Sequence, residues 1–481
     1  MPRDQRIPEI NRQDKRLLTM VQTIAALARE RAGADASFEE DSHAALAVVA
    51  DALWLHEQER LEALVTTADR AEVGGHSYRR LSQPSSTTYH GLWGTHEVHE
   101  SLYRQERVRN GPTIKPLDVR VGVVGKRLLP DLGHAVGHLW GGEHSREMEA
   151  TLSTLGFRPP SRTMIEAGVQ AIGAEIVATQ AALDEALRAD EAIIDEVASV
   201  SVGMDRMAVR MEESLDGEAR DEALRHRERR EYQRTPPEPY GYAWRMAWVG
   251  SVTTYDADGE ALHTMRLGAP ANDDPVVLAA RLVDEVLHVV EAQPDAKVVC
   301  VQDAAPDLNV LRERLKQMLP EGVERHQLVD LEHLLGYLGD VVETCEPPGD
   351  PHNMRDWYRD ELLRDDRAID NIFRNLRRKA KTVPRGERSA RKALADAIRY
   401  IRKRRHLMRY ASLAKAKLPV GSGATESACA VFQLRVKRPG SHWKPDGLRA
   451  VMAVRGLVTS GRWDAAWAHL SAWHLAEVRM A

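Results

Sequence analysis

The hydrophobic pattern along the chain changes period several times, and each change predicts a different element. From Asp14 to Ala71 apolar residues such as Leu17, Leu18, Val21, Ile24 and Leu27 recur three or four apart, as on one helix face. From Thr87 to Tyr103 short β-prone pieces flank Trp93-Gly94, which predicts a small hairpin. Three helices follow: Leu129 to Trp140, Ser145 to Leu155, and one opening at Ser161-Arg162-Thr163 after Gly156-Phe157-Arg158-Pro159-Pro160. Ser161 or Thr163 can cap the third, the latter in a capping-box relation with Glu166. Ile165, Val169, Ile172, Ile176, Leu183 and Leu187 prolong it at near-heptad spacing, the mark of a dimer seam or of a helix face packed within the chain.

From Val197 the period falls to two. Val197 to Asp205 alternates, with Met207 to Met211 as an extension, and a charged, disorder-prone segment spans Asp216 to Pro239. Ala243 to Thr253 and Ala261 to Leu267 read as strands about the turn Asp256-Ala257-Asp258-Gly259. A helix from Pro275 to Val290 precedes the apolar run Val298-Val299-Cys300-Val301-Gln302-Asp303, a buried central strand with an acid at its tip. A helix from Leu308 to Leu319, a strand from His326 to Val329 and a helix from Leu331 to Val342 complete the order β-β-β-α-β-α-β-α. Early hairpins and later crossovers in that order predict an α/β, ribonuclease-H-like mixed sheet. The tail adds a glycine-rich turn, Pro419 to Ala428, feeding a helix that carries Glu426, a basic loop from Arg435 to Lys444, and two further helices.

Composition changes this picture in one place. The 481 residues, 43% hydrophobic and 29% charged, suit several globular domains, and the formal net charge of −5 gives no whole-chain sign of a polyanionic partner. From Arg374 to Lys417, however, there are 17 Lys or Arg against two acids, Glu387 and Asp396. Such a basic block in an acidic chain is the footprint of phosphate-backbone contacts. The helix-turn-helix outline of residues 129–174 would present Arg158, Arg162 and Thr163 to a DNA groove, although a plain three-helix unit has the same outline. No apolar run reaches membrane-span length, and the polar N-terminus carries no signal-peptide core, so a cytoplasmic protein is expected. Cys300, Cys345 and Cys429 lie too far apart for a metal or disulfide framework and read as small buried residues. His90, His96 and His99, without cysteine or carboxylate at fixed spacing, read as surface histidines rather than zinc ligands.

Three acids stand at matching places: Asp205 closing the first strand, Asp303 closing the fourth, and Glu426 in the first turns of a late helix. Adjacent strand tips and a helix crossing them would gather hard oxygen ligands suited to Mg²⁺ or Mn²⁺, and two such ions can clamp a phosphodiester displacement.

The tail residues 419–444 with their Gly-Ser-Gly turn and Glu426, Lys437-Arg438-Pro439-Gly440, Trp443 and Gly461-Arg462-Trp463-Asp464 resemble the C-terminal signature of Kra-type insertion-sequence transposases, a branch of the DDE transposases. The resemblance extends to Asp303-Ala304-Ala305 and to Val329-Asp330-Leu331-Glu332-His333-Leu334, and upstream to Tyr103-Arg104 and Pro116-Leu117-Asp118. It implies a ribonuclease-H-like core interrupted by an all-helical insertion, which would span residues 344–418. It carries the catalytic and metal-binding triad onto Asp205, Asp303 and Glu426, with His333 as a supporting residue. DNA contacts are then expected from Arg158, Arg162, Thr163, Arg402, Arg404, Arg405, Lys437, Arg438, Trp443 and Lys444. The expected organisation is a helical N-terminal region (1–80), a hairpin with a DNA-binding helical region (81–190), the first part of the core (191–343), the basic insertion (344–418), and the glutamate helix with the C-terminal helices (419–481).

The implied activity is two-metal cleavage and strand transfer of double-stranded DNA, by a homodimer or larger assembly that is bacterial, cytoplasmic and nucleoid-associated on DNA. Three departures from the family pattern open the alternative of a domesticated chain that binds DNA without chemistry: Arg206 after Asp205 and Ala304 after Asp303, each in place of glycine, and the absence of the tryptophan that usually follows soon after Asp303. A structure-specific nuclease on the same core is a third reading.

Overall fold

Helix α1 (Lys15–Ala32) is followed by α2 (Phe38–Leu64), which starts where Ser37 and Glu40 close a reciprocal capping box. The computed structural model describes residues 15–33, 35–194, 196–228, 238–303, 305–345 and 351–480. Six strands come next: β1 (Arg70–Val73), β2 (His76–Arg80), β3 (Ser85–Gly91), β4 (Gly94–Glu100), β5 (Tyr103–Gln105) and β6 (Thr113–Ile114). The expected hairpin is β3–β4. The helical reading of residues 1–80 needs correction, because helix ends at Leu64 and residues 70–80 form a hairpin about Gly74 and Gly75, both at positive φ. The remaining helices of this stretch are α3 (Pro116–Val121), α4 (Pro130–Trp140), α5 (Ser145–Thr154), α6 (Arg162–Ala178) and α7 (Gln180–Asp190). The near-heptad run is interrupted at Thr179, and all six of its apolar residues are at most 3% exposed. It is therefore a face packed within the chain and not a free dimer seam.

The histidine reading is corrected as well. His90 and His96 are buried, and His96 is held between Glu57 Oε2 (2.9 Å) and Gln58 Oε1 (3.2 Å), so its ring nitrogens are taken up by α2.

Two long strands, β7 (Ser199–Ser214) and β8 (Tyr240–Tyr255), flank α8 (Gly217–Glu228), part of the segment read as disorder-prone; residues 229–237 of that segment lie outside the described residues. Then come β9 (Ala261–Ala269), α9 (Pro275–Ala292), β10 (Lys297–Gln302), α10 (Asn309–Met318), β11 (Arg325–Val329) and α11 (Leu331–Cys345). The basic stretch is helical among its described residues: α12 (Pro351–Arg364), α13 (Ala368–Thr382), α14 (Arg388–Arg404) and α15 (Ala411–Lys415). The chain closes with α16 (Gly423–Val436), α17 (Pro445–Thr459), α18 (Trp463–His474) and β12 (Val478–Met480).

These elements divide into two compact units, residues 1–175 with 467–481, and residues 176–466. In the first, β12 pairs with β1 in the five-stranded sheet β12-β1-β2-β5-β6, so the last residues belong with the N-terminal unit and not, as the 419–481 grouping has it, with the glutamate helix. The second unit is a mixed α/β layer structure around the sheet β11-β10-β7-β8-β9. Strands β7, β10 and β11 run parallel, and β8 and β9 are joined antiparallel as hairpins. One face carries α9 and α10 over Val200, Val202, Val298 and Cys300; Val299, Val301, Leu328 and Val329 join α11 and the helices of residues 351–418 on the other. No helix among the described residues is long and apolar enough to cross a membrane.

Candidate active site at the strand tips

Alternation along the two central strands decides which layer each acid faces. Val299 and Val301 point to the core of α11 and the insertion helices, and Asp303, two residues on, continues that set. On β7, Val200, Val202 and Met204 point to the α9 core, so Asp205 belongs with Ser201 and Gly203 on the opposite face, the one Asp303 shares. The parallel register pairs Lys297 with Ser199 and Cys300 with Val202. Carried three residues further, the same offset sets Asp303 beside Asp205 on strands roughly 4.8 Å apart.

The third acid arrives on α16, which packs across β7 and β8. Thr425 is 3% exposed, its Oγ1 lies 2.8 Å from Ser251 Oγ, and it rests directly on Gly203. Glu426 follows at the exposed side of the first turn, where its Oε1 accepts from Ser422 Oγ at 3.0 Å. One helical step further, Cys429 Sγ lies 3.8 Å from Asp205 Oδ2 and donates to it. Burial, and after it the charges of Asp205 and Glu426, push the Cys429 thiol up to about 12. It therefore stays a neutral S–H donor at physiological pH.

The turn into α16 is fastened by a residue that sequence reasoning treated only as a turn. Asp330, 2% exposed at the tip of β11, accepts from Ser422 N (2.7 Å) through Oδ1 and from His333 N (2.8 Å) through Oδ2. One carboxylate thus ties the start of α11 to the glutamate turn. His333, so oriented, holds its Nε2 3.4 Å from Asp303 Oδ1 and packs against Tyr337 and Tyr400, whose rings stack with centroids 4.3 Å apart.

Two adjoining clefts open at these tips. One, of about 260 Å³, is lined by Asp303, Tyr337 and, from α14, Tyr400, Arg399, Lys403 and Arg404. The other, of about 360 Å³, is lined by Glu332, His333, Tyr337, Asp340 and Glu426. Tyr337 borders both. The basic helix therefore turns cations toward the acid at the tip of β10. Burial raises the Tyr400 phenol well above its ordinary value, with the Asp303 charge next in size, so it remains a neutral hydroxyl.

Asp205, Asp303, His333 and Glu426 thus come to one end of the sheet, though among the described residues no three His, Cys, Asp or Glu side chains stand together as a chelating group. Asp205 is contacted by Cys429, Asp303 by His333 and Glu426 by Ser422. The donor chemistry fits a hard divalent cation, because all three acids offer carboxylate oxygens. Arg206 alternates to the opposite side of β7 and pairs with Asp307, so its charge is engaged away from Asp205.

The expected DNA contacts separate into two sets. Arg162 and Thr163 are exposed at the start of α6, Lys437 and Lys444 are exposed, and Arg402 is exposed on α14. Arg158 is instead engaged by Asp51 at 2.7 Å, Arg405 pairs with Asp370 and lies near the Phe373 ring, and Arg404 lies over Tyr400. Arg438 is half-buried, and Trp443 turns inward, donating Nε1–H to the Val436 carbonyl beneath the Arg435 guanidinium. Sequence reading missed Arg399, Lys403, Tyr400, Asp330 and Cys429. For the first three the signal was their four-residue spacing on one face of α14, Arg399–Lys403 and Tyr400–Arg404. No family model matches the sequence, and no curated protein matches it at a significant level.

Proposed function

We propose that the chain is a DNA transposase of the DDE type, built on a ribonuclease-H-like core with a helical insertion at residues 344–418. The observation that carries this reading is the common face of Asp205 and Asp303 on adjacent parallel strands, with α16 seated on Gly203 to bring Glu426 to the same end. Strand order supports the core assignment: β9-β8-β7-β10-β11 is 3-2-1-4-5 in order of appearance, with only the second strand antiparallel to the rest.

Asp205, Asp303 and Glu426 would hold two Mg²⁺ or Mn²⁺ ions, which when bound supply positive charge to the attacking and leaving oxygens of the phosphodiester. Arg399, Lys403 and Arg404 hold the DNA backbone against the cleft, and His333 and Asp330 keep Asp303 and the Glu426 turn in place. In nicking, a water oxygen bonds to phosphorus as the bond to the 3′ oxygen breaks, leaving a 3′-hydroxyl and a 5′-phosphate. In joining, that hydroxyl oxygen attacks a target phosphodiester, whose own 3′ oxygen departs and takes up a proton. Two ends must be held together for this, which calls for a dimer or larger assembly on double-stranded DNA.

The test is nicking and joining of supercoiled and end-bearing DNA with Mg²⁺ or Mn²⁺. Asp303→Asn is expected to abolish both while retaining duplex binding. A wild-type chain that folds and binds its DNA but neither nicks nor joins it points to the non-catalytic alternative. The Arg206–Asp307 pair engages the charge that is one support of that alternative, while the departures after Asp303 still favour it.

A further inference from the structure

Beyond Asp205 the strands β7 and β8 outrun their sheet. Pairing with β10 stops at Val202 and pairing with β9 at Trp248, yet β7 and β8 stay in register out to Ser214 and Tyr240. Residues 206–214 and 240–247 therefore form a projecting ribbon. A third edge is added by the loop after α16, where Glu212 N donates to the Trp443 carbonyl (2.8 Å) and Trp443 N to the Arg210 carbonyl (3.1 Å).

The two faces of this ribbon differ. On the face continuing Asp205, Met207, Val209 and Met211 are at most 2% exposed, beside an exposed Arg245–Glu213 ion pair. The opposite face presents Tyr240, Tyr242, Trp244 and Met246 at alternate positions, each between 39% and 64% exposed. Arg210 lies 3.9 Å from the Tyr242 ring centroid, and the His442 ring stands 5.0 Å from that of Tyr242. Glu212, the acid of this face, is paired with His442.

An apolar partner surface would not need cations among its rings, and a duplex offers few ring faces to stack on. Unpaired nucleobases need both. Each base has a π-face for an aromatic side chain, and each linking phosphate an affinity for the arginine and for the exposed Lys437 and Lys444 of the neighbouring loop. We infer that the projecting β7–β8 ribbon is a stacking platform for single-stranded DNA, with Trp244 and Tyr242 as its principal base contacts. The inference takes the identity of the polymer from the function proposed above, while its site lies on the face of the ribbon opposite the acids.

The experiment measures binding of a labelled 15-mer of deoxythymidylate and of a duplex of equal length by fluorescence anisotropy, on the full chain. Trp244→Ala is expected to bind the single strand roughly ten- to a hundredfold more weakly, with duplex affinity changed less than about twofold. Trp244→Phe should restore most of the loss, and an unchanged thermal melting curve shows that the exposed position does not affect folding. Equal single-strand affinity in wild type and Trp244→Ala overturns the inference. So does a change of oligomeric state in Trp244→Ala by sedimentation without DNA, which assigns the face to a second copy of the chain. Loss of strand binding in Trp244→Ala from a chain that never cleaves DNA would leave the platform standing and remove the transposase reading; intact cleavage with no effect of Trp244 would do the reverse.

Discussion

Gly203 lies directly beneath Thr425: a Cβ added to the glycine would stand 2.3 Å from the threonine hydroxyl and 2.5 Å from the Val301 carbonyl. The hydroxyl can rotate away, but the carbonyl is backbone of the central strand β10 and cannot. Gly203→Ala is therefore expected to cost about 1–3 kcal/mol in urea unfolding and to shift α16, with loss of DNA cleavage. Because the carbonyl is the fixed obstacle, Thr425→Ala added to Gly203→Ala should recover little stability. Full recovery would mean that the side chain alone was in the way.

Asp330 gives a second test of how the site is held. Its two carboxylate oxygens accept from Ser422 N and His333 N while the residue is almost wholly buried, so Asp330→Ala would leave both backbone donors without their acceptor. A loss of about 2–3 kcal/mol in stability is expected. Asp330→Asn keeps one carbonyl acceptor and should lose less. In both variants the cleavage rate should fall further than duplex affinity, because the glutamate turn and His333 move while the cations of α14 stay. Equal loss in rate and affinity would contradict this positioning role.

The parts of this architecture legible in sequence were those where one local signal decides. Strands β7, β8 and β9 showed because their alternation is long and a glycine turn separates β8 from β9, and β10 showed as an apolar run that Asp303 ends. Arg70–Val73 and His76–Arg80 did not, since strands of four or five mostly polar residues lack a period and gain their place from β5 and from β12, some 400 residues away in sequence. The inward turn of Trp443 and the Arg158–Asp51 pair were equally invisible, because a tryptophan or an arginine in a basic loop reads the same whether it faces DNA or its own chain. Asp330 was recognised only as a turn. Its second partner, Ser422, lies 92 residues further on, and no spacing rule links the two.

Cys300 provides a pH dependence. Burial between the layers of the second unit pushes its thiol up to about 11 from 9.0, partly opposed by Arg312. The unfolded chain gives up this proton first, so its contribution to stability is complete below about pH 9 and is lost as pH rises through 11. At most about 1.4 kcal/mol per pH unit is involved. Tyrosines titrate nearby, so the measurement is a difference: Cys300→Ala should unfold with a shallower alkaline slope than wild type between pH 9 and 11. In the folded wild type the thiol should also resist alkylation at pH 8 and react only on unfolding. Parallel slopes in the two proteins would rule the assignment out.

Lys403 and Arg399 line the cleft that Asp303 enters, one turn apart on α14, and Arg399 is the more constrained of the two through its pair with Asp396. If both neutralise DNA phosphates, each removal should lower the slope of log affinity against log salt by about 0.9, without changing sequence preference. Lys403→Ala should show this at nearly full size. Arg399→Ala also releases Asp396, whose freed negative charge faces the same cleft, so its affinity loss should exceed that of Lys403→Ala at low salt. Adding Asp396→Asn to Arg399→Ala should return part of that excess. Slopes unchanged in both single variants would place the phosphates elsewhere on the basic insertion and leave the cations of the cleft with only the Asp303 and Asp396 carboxylates to balance.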